Sequence, residues 1–168
     1  MVRIGMRDGT TGESTMLLSY TATPEATAKE PFLAVLRELA QAYHAFSAYS
    51  AAHVRQLGLT PAQFDVIATL GNTQGMPLSQ LAQQTLITKG TLTGIIDRLE
   101  EKGLVHREVP AGDRRSFLAV LTPAGEALFA QVFPAHINYL RRVFAEGEEG
   151  ELEQVRRTLR GLRGRFQD

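Results

Sequence analysis

The sequence predicts a mainly α-helical fold with one small β-hairpin, in which short helices and the hairpin are flanked by long terminal helices. Apolar residues recur at steps of three and four through most of residues 32–166, which is the spacing of amphipathic helices. Between Val105 and Leu121 the step changes to two around a Pro-Ala-Gly-Asp turn, which indicates two paired strands. Gly and Pro residues separate the segments, so the helices before the hairpin must be short.

The composition is that of a folded domain without thiol chemistry. The chain has 168 residues, of which 43% are hydrophobic and 21% are charged, and it has no cysteine. A packed core is therefore favoured over disorder, and disulfides, thiol redox sensing and cysteine-ligated zinc are excluded. No apolar run reaches the roughly 18 residues of a membrane span. Residues 1–20 do not resemble a secretion signal, so we expect a soluble cytoplasmic protein.

The first half of the chain is predicted to contain an arm and four helices. Residues 1–30 are rich in Thr, Ser and Gly and are interpreted as a flexible arm. A long helix follows over residues 31–57, and Ser50 and His53 interrupt its apolar stripe. Thr60-Pro61-Ala62-Gln63 is a capping box that opens the next helix. Two further helices are predicted at about residues 78–84 and 88–103.

The second half is predicted to contain the hairpin and two helices. Thr122-Pro123 opens a long helix that reaches about Ala145, and Pro134 within it predicts a kink or a break. A last helix covers residues 152–166, with basic side chains on its other faces. Because apolar stripes lie at both ends of the chain, the terminal helices at 31–57 and 122–168 are predicted to form a dimer. An intramolecular bundle of the same helices is the alternative.

The order of three helices and a hairpin is that of a winged helix-turn-helix, here at residues 58–121. Its third helix combines an apolar face with a short polar N-terminus, as a helix that enters the major groove requires. The turn of its hairpin is cationic, as a minor-groove contact requires. Each feature alone also suits an ordinary helix start or a solvated turn, but the two together in this order favour DNA binding. The candidate contacts are Thr88, Lys89, Gly90, Thr91, Thr93, Arg98, Asp113, Arg114 and Arg115.

Residues 59–128 resemble the MarR family of winged-helix transcriptional regulators. The matching stretches are Leu59-Thr60-Pro61-Ala62-Gln63-Phe64, Leu78-Ser79-Gln80-Leu81-Ala82, Asp97-Arg98-Leu99-Glu100-Glu101-Lys102-Gly103-Leu104-Val105, Asp113-Arg114-Arg115 and Leu121-Thr122-Pro123-Ala124-Gly125. The resemblance implies a triangular homodimer whose two lobes bind a pseudo-palindromic double-stranded operator, most often as a repressor.

The resemblance also implies roles for individual residues. The residues expected in the major groove are Thr88, Lys89, Thr91 and Thr93. Arg115, oriented by Asp113, is expected in the minor groove, while Arg114 occupies a variable position of the motif. Arg98 is expected to orient the recognition helix or to touch the DNA backbone.

Many members of this family are released from DNA by small aromatic compounds, which implies a ligand crevice. The candidate pocket residues are Tyr43, Phe46, Tyr49, His53, Phe64 and Asp65, although an aromatic residue at helical spacing is more often part of the core. The lack of cysteine excludes the peroxide-sensing branch of the family. Asp65 and Arg107 resemble the urate-responsive branch, but the chain has no Trp and has Ile95 where that branch has an arginine. Urate is therefore disfavoured, and the ligand class that the resemblance implies is a small aromatic or anionic compound, with another anionic aromatic as one alternative to urate.

Three other functions are weaker interpretations. The four histidines lack the spacing of a helical metal site, so we expect neither a metal nor a cofactor. No catalytic motif or nucleotide-binding glycine loop is present, so we do not expect an enzyme. A helical interaction module without DNA binding is the remaining alternative. The equal number, 18, of basic and acidic residues favours it slightly, because a neutral dimer gains little from counterion release.

Overall fold

A computed structural model describes residues 28–109, 117–145 and 150–167 of the chain. Within them lie six α-helices and three short strands. In chain order these elements are α1 (Pro31–Gln56), α2 (Pro61–Leu70), β1 (Met76–Pro77), α3 (Leu78–Thr85), α4 (Lys89–Glu101), β2 (Val105–Glu108), β3 (Leu118–Leu121), α5 (Pro123–Phe144) and α6 (Glu151–Arg165). The helices and the hairpin strands that the sequence predicts are all confirmed.

The chain divides into two units, Met1–Ala42 and Tyr43–Asp168. In the first unit, the described residues form a turn at 28–29 and the first part of α1. Three large apolar side chains in this part, those of Phe32, Val35 and Leu36, are exposed. Most of the arm predicted at residues 1–30 lies outside the described residues.

Local sequence signals fix the helix starts of the second unit. The Thr60 side chain accepts the N–H of Gln63, and the Gln63 side chain accepts the N–H of Thr60, so the predicted capping box forms. Thr122 caps α5 in the same way by accepting the N–H of Gly125. Because each cap satisfies an amide that the helix itself cannot, α2 and α5 begin where the sequence predicts.

The strands form one antiparallel sheet in the order β1-β3-β2. In the hairpin, Val105 pairs with Leu121 and Glu108 pairs with Leu118, while Met76 of β1 pairs with Ala119. The strand β1 is absent from the sequence prediction. It has only two residues and one of them is proline, so it offers neither the period nor the composition of a strand.

One hydrophobic core lies within the second unit. Its fully buried side chains come from α1, α2, α3, α4 and β2 and include Val54, Val66, Leu81, Leu92, Ile96 and Val105. On α5 the buried residues are Gly125, Phe129, Val132 and His136, at steps of four, three and four. Pro134 lies on the exposed side of α5, and the helix continues past it without the break that the sequence allowed.

The terminal helices differ from this core. The exposed apolar side chains are those of Tyr43 and Phe46 on α1, Val143 and Phe144 at the end of α5, and Leu152, Val155 and Leu159 on α6. Leu162 of α6 is partly buried. No residue of α6 is buried. Among the described residues, none of the helices has both the length and the apolar character that crossing a membrane requires.

Candidate DNA interface

The helix α4 has one buried apolar face and one exposed polar face. Leu92, Ile95, Ile96 and Leu99 are between 0% and 7% exposed and hold the helix against the core. The opposite face carries six of the predicted DNA contacts, which are all exposed: Thr88, Lys89, Gly90, Thr91, Thr93 and Arg98. The structure therefore brings these six residues together on one surface of one helix.

The polar side chains at the start of α4 are held in place by hydrogen bonds. Thr88 is the N-cap, and its side chain accepts the N–H of Thr91. The Thr88 hydroxyl also donates to the Thr91 hydroxyl over 3.0 Å, and the Thr93 hydroxyl donates to the Lys89 carbonyl over 3.0 Å. This end of the helix presents first-turn amides and the positive end of the helix dipole to solvent, an arrangement that favours phosphate.

Two glycines leave this surface open. A Cβ added at Gly90 or at Gly94 would meet no atom within 4 Å, so packing inside the protein does not require either glycine. Glycine in the middle of a helix is destabilising, so helix stability does not explain why glycine stands at position 94. A close approach of the helix to a bound surface would explain it, because glycine has no side chain in the way. Gly90 was among the residues predicted from the sequence and Gly94 was not, although both lie on the exposed side of α4.

Arg107 links the strand β2 to the helix α4. Its guanidinium forms ion pairs with Glu100 and, at 2.6 Å, with Asp97 of α4. Its backbone N–H donates to the Glu100 carboxylate over 2.9 Å. These contacts fix the base of the hairpin relative to α4. This role of Arg107 was not predicted from the sequence.

The predicted minor-groove contacts Asp113, Arg114 and Arg115 lie outside the described residues. On either side of them, Val109 after β2 and Phe117 before β3 are exposed. His106 lies on β2, an edge strand of the described sheet, and its Nε2 is 2.7 Å from the Glu108 carboxylate.

Three of the six predicted pocket residues belong to one cluster of rings. We call this cluster the joint, because it connects α1, α2 and α5, and define it as Tyr49, Ser50, His53, Phe64, His136 and Tyr139. The ring of Tyr139 stacks on Tyr49 at 4.5 Å and on His53 at 4.1 Å between ring centroids, and Phe64 meets His136 edge-on at 4.7 Å. Ser50, His136 and Tyr139 were not among the predicted pocket residues.

His136 is the centre of the joint and is only 3% exposed. Its Nε2 lies 3.1 Å from the Ser50 hydroxyl, and its Nδ1 lies 3.0 Å from Nδ1 of His53. Burial, with the nearby His53 as a second cause, lowers the pKa of His136. Burial and the hydroxyl of Tyr139 raise the pKa of Tyr49. Both pKa shifts favour the uncharged forms of His136 and Tyr49 within the joint.

The other three predicted pocket residues are placed differently. Tyr43 and Phe46 are exposed on α1 and are not part of the joint. Asp65 follows Phe64 on the accessible side of α2, where partial loss of solvent raises the pKa of its carboxyl. A surface hollow of about 290 Å³ lies instead on α6, lined by Arg156, Leu159, Arg160 and Arg163, none of which is a predicted pocket residue.

Comparison with known proteins relates these features to one family. The sequence profile of the MarR family matches residues 59–117. Over 122 residues the chain is 30% identical to the HTH-type transcriptional regulator MhqR of Bacillus subtilis, and the match covers 73% of this chain and 84% of that protein. Over 121 residues it is also 30% identical to the homoprotocatechuate degradative operon repressor of Escherichia coli, covering 72% of this chain and 82% of the repressor.

A solved structure is similar over most of the chain as well. The regulator BpsR of Bordetella bronchiseptica, whose DNA binding is regulated by 6-hydroxynicotinic acid, superimposes with a TM-score of 0.64 at 28% sequence identity. The superposition covers 76% of this chain and 97% of BpsR. The predicted winged helix-turn-helix architecture is thereby confirmed.

Proposed function

The chain belongs to the MarR family of DNA-binding transcriptional regulators, whose members bind DNA as dimers, and from this premise we propose how it acts. It represses transcription as a homodimer that occupies a pseudo-palindromic operator, and a small anionic aromatic compound releases it. The observation that carries this proposal is the exposed polar face of α4, with its hydroxyls, lysine and two open glycines. This face is the one that a recognition helix presents to the major groove.

The side chains of this face suit base and phosphate contacts. Thr hydroxyls bond to several base edges, a lysine reaches a guanine edge or a phosphate, and a threonine methyl fits against the methyl group of thymine. Lys89 forms no ion pair with any described carboxylate, so its charge is available for DNA. In the proposal Arg115, oriented by Asp113, adds the minor-groove contact, with Arg114 and Arg98 in supporting positions.

The exposed apolar side chains of the terminal helices support the homodimer. Residues on α1, at the end of α5 and on α6 remain about half exposed in the single chain, and patches of this kind mark protein interfaces. Pairing with a second copy would bury them and would place two recognition helices about one turn of DNA apart, roughly 34 Å. In this proposal, residues 31–57 and 122–168 form the dimer interface, and residues 58–121 form the DNA-binding lobe.

The joint and one relative support the proposed ligand, and another relative supports the proposed repressor role. The joint combines stacked rings with hydroxyl and imidazole groups between the helices α1 and α5 and the lobe that begins with α2. An aromatic acid inserted there would stack on Tyr139 and hydrogen-bond to His53 or His136, with Asp65 and Phe64 at the side of α2. A compound that fits one dimer geometry better than another shifts the equilibrium toward it. The Escherichia coli relative is a repressor, and BpsR responds to a hydroxylated aromatic acid.

The chain is proposed to act by binding alone, in the cytoplasm. Its relatives are regulators of transcription, and their task requires access to chromosomal DNA rather than a catalytic centre.

The DNA proposal is tested by selecting duplexes from a random-sequence pool with the purified protein at two salt concentrations. We expect enrichment of a two-fold related site whose half-site centres are about one helical turn apart. Lys89→Ala and Arg115→Ala should each weaken binding to the selected duplex by about 1–3 kcal/mol. The matched control is Lys102→Ala, which removes an exposed lysine at the other end of α4. Equal losses in all three variants, or no enriched sequence, would contradict the proposal.

The ligand proposal is tested on the selected duplex with a panel of hydroxylated benzoic, phenylacetic and nicotinic acids. An active compound should release the DNA and raise the melting temperature of the free protein. Tyr139→Ala should weaken the response, because it removes the ring on which the ligand is proposed to stack, whereas Tyr139→Phe keeps the ring and should retain the response. A compound that acts equally well on both variants binds elsewhere.

A further inference from the structure

Two histidines from distant parts of the chain share one hydrogen bond inside the joint. His53 of α1 and His136 of α5 are 83 residues apart, and their Nδ1 atoms lie 3.0 Å from each other. The two rings are nearly parallel, with an interplanar angle of 22°. A hydrogen bond between two imidazole nitrogens requires that one nitrogen carries a proton and that the other does not. This contact therefore depends directly on the protonation of the pair.

The neutral pair is fully satisfied. The Ser50 hydroxyl at the other ring nitrogen of His136 can donate or accept, so either histidine can be the donor. One added proton is also compatible with the contact, because a charged His53 still donates through Nδ1 while its half-exposed ring reaches solvent. Two added protons are not compatible with it. Both Nδ1 atoms would then carry hydrogen at 3.0 Å, and His136 would hold a buried charge.

No carboxylate offsets such a charge among the described residues. On α1 the Ser50 hydroxyl bonds to His136, and on α5 Tyr139 stacks on both rings, while Tyr49 of α1 stacks on Tyr139. From α2 the pair meets the apolar ring of Phe64. Asp65 follows Phe64 on α2, and the charge of Arg142 acts on Tyr49. Within the described part of the chain, the charge that acts on His136 is that of His53, and it opposes protonation.

We propose that the His53–His136 pair is a proton-operated switch that connects acidity to DNA binding. The pair holds α5 against α1 while it carries at most one extra proton, and it separates when both rings are charged. Because Phe64 packs on His136, separation also loosens the start of the DNA-binding lobe. The link to DNA rests on the proposed function, whereas the protonation of the pair does not.

The sign of the pH dependence follows from linkage. The pKa of His136 is lower in the folded chain than the ordinary histidine value of about 6.5. Below pH 6.5 the His136 side chain therefore binds a proton in the unfolded chain but stays neutral in the folded chain. The ratio of folded to unfolded protein should fall as pH falls, by up to about tenfold per pH unit for one such proton. The decrease begins near pH 6.5 and ends at the folded pKa of His136.

The first test follows the ring signals of all four histidines by NMR from pH 8 to pH 4.5 in the intact protein. We expect His136 to stay neutral to a pH below the ordinary histidine value of about 6.5. In His53→Gln, where the opposing charge is gone, His136 should titrate at higher pH than in the wild type. A wild-type His136 that titrates at or above the ordinary value, or one that is unaffected by His53→Gln, would overturn the switch.

The second test compares wild type, His136→Gln and the control His44→Gln by chemical unfolding and by binding to the duplex selected at pH 7.5. Between pH 7.5 and 5.5 we expect wild type and His44→Gln to lose more DNA affinity than His136→Gln, by up to about tenfold for the one pH unit below 6.5. If His136→Gln does not fold, His53→Gln replaces it. Parallel losses in all variants would refute the switch. A failure to select any duplex would refute the proposed function, and the NMR titration would still decide the protonation of the pair.

Discussion

The recognition helix α4 and the last helix α6 have similar amphipathic sequences but opposite environments. In α4, residues Leu92, Ile95, Ile96 and Leu99 are at most 7% exposed. In α6, Leu159 is 49% exposed and Leu152 is 51% exposed, and no residue of the helix is buried. The same spacing of apolar residues therefore completes a core in one part of the chain and leaves an open surface in the other.

The difference shows which part of the protein is complete in a single chain. An isolated helix of 15 residues is only marginally stable in water, so α6 needs a surface to pack against. The lobe around α4 already has such a surface in its own core. We propose that the lobe folds on its own contacts and that a second copy stabilises the terminal helices. The following predictions test this contrast.

The largest expected effect is in the core of the lobe. Leu99→Ala creates a cavity at a side chain that is 0% exposed, so it should lower the free energy of unfolding by about 2–5 kcal/mol. Chemical unfolding monitored by circular dichroism measures this loss of free energy. Once the contribution of dimerisation to the free energy of unfolding is subtracted, the loss should not depend on protein concentration. The matched variant Leu159→Ala should instead give a loss that grows as protein concentration rises, because only the dimer contains the contact that the substitution weakens. The same concentration dependence for both variants would contradict the difference between the lobe around α4 and the helix α6.

The next effect concerns the open face of α6. Leu159→Glu places a charge at a predicted interface in both copies, so the dimer dissociation constant should rise about a hundredfold. Sedimentation equilibrium measures this change, and the control is Thr158→Glu on the neighbouring polar side of the helix. The fold of the lobe should be intact in both variants. An unchanged dimer in Leu159→Glu would show that α6 is not part of the interface.

A smaller effect is expected at the connection between the hairpin and α4. Arg107 pairs with Glu100 and with Asp97, whose side chains are 29% and 52% exposed. Since solvent weakens an ion pair, the coupling of Arg107 to Glu100 should exceed that to Asp97, with values of about 1 and 0.5 kcal/mol. Double-mutant cycles with Arg107→Gln, Glu100→Gln and Asp97→Asn measure both couplings. A larger coupling to Asp97 would contradict this order.

The smallest effect separates stability from function within α4. Gly94→Ala meets no atom within 4 Å, and alanine is the better helix former, so the folded state should gain about 0.5–1 kcal/mol. DNA affinity should fall in the same variant, because the added methyl group lies on the face proposed to approach the groove. Thermal unfolding and duplex titration measure the two changes. A gain in stability without a loss of affinity would place Gly94 away from the DNA.

The sequence predicts this fold well where the signals are local. Capping boxes, glycine ends and apolar spacing gave helices and hairpin strands close to their observed bounds, and the polar face of α4 followed from the same spacing. The joint could not be predicted in this way, because His53 and His136 are 83 residues apart and no spacing rule links them. Ser50 and His53 interrupted the apolar stripe of α1, and the structure gives the reason, since both side chains bond to His136.

The central claim is that a second copy completes the terminal helices, and the mass of the protein in solution tests it most directly. Light scattering over a range of micromolar concentrations should give twice the 18.5 kDa of one chain, with a monomer emerging only on strong dilution. A mass of one chain across that range, in protein whose helices are fully formed, would contradict the account.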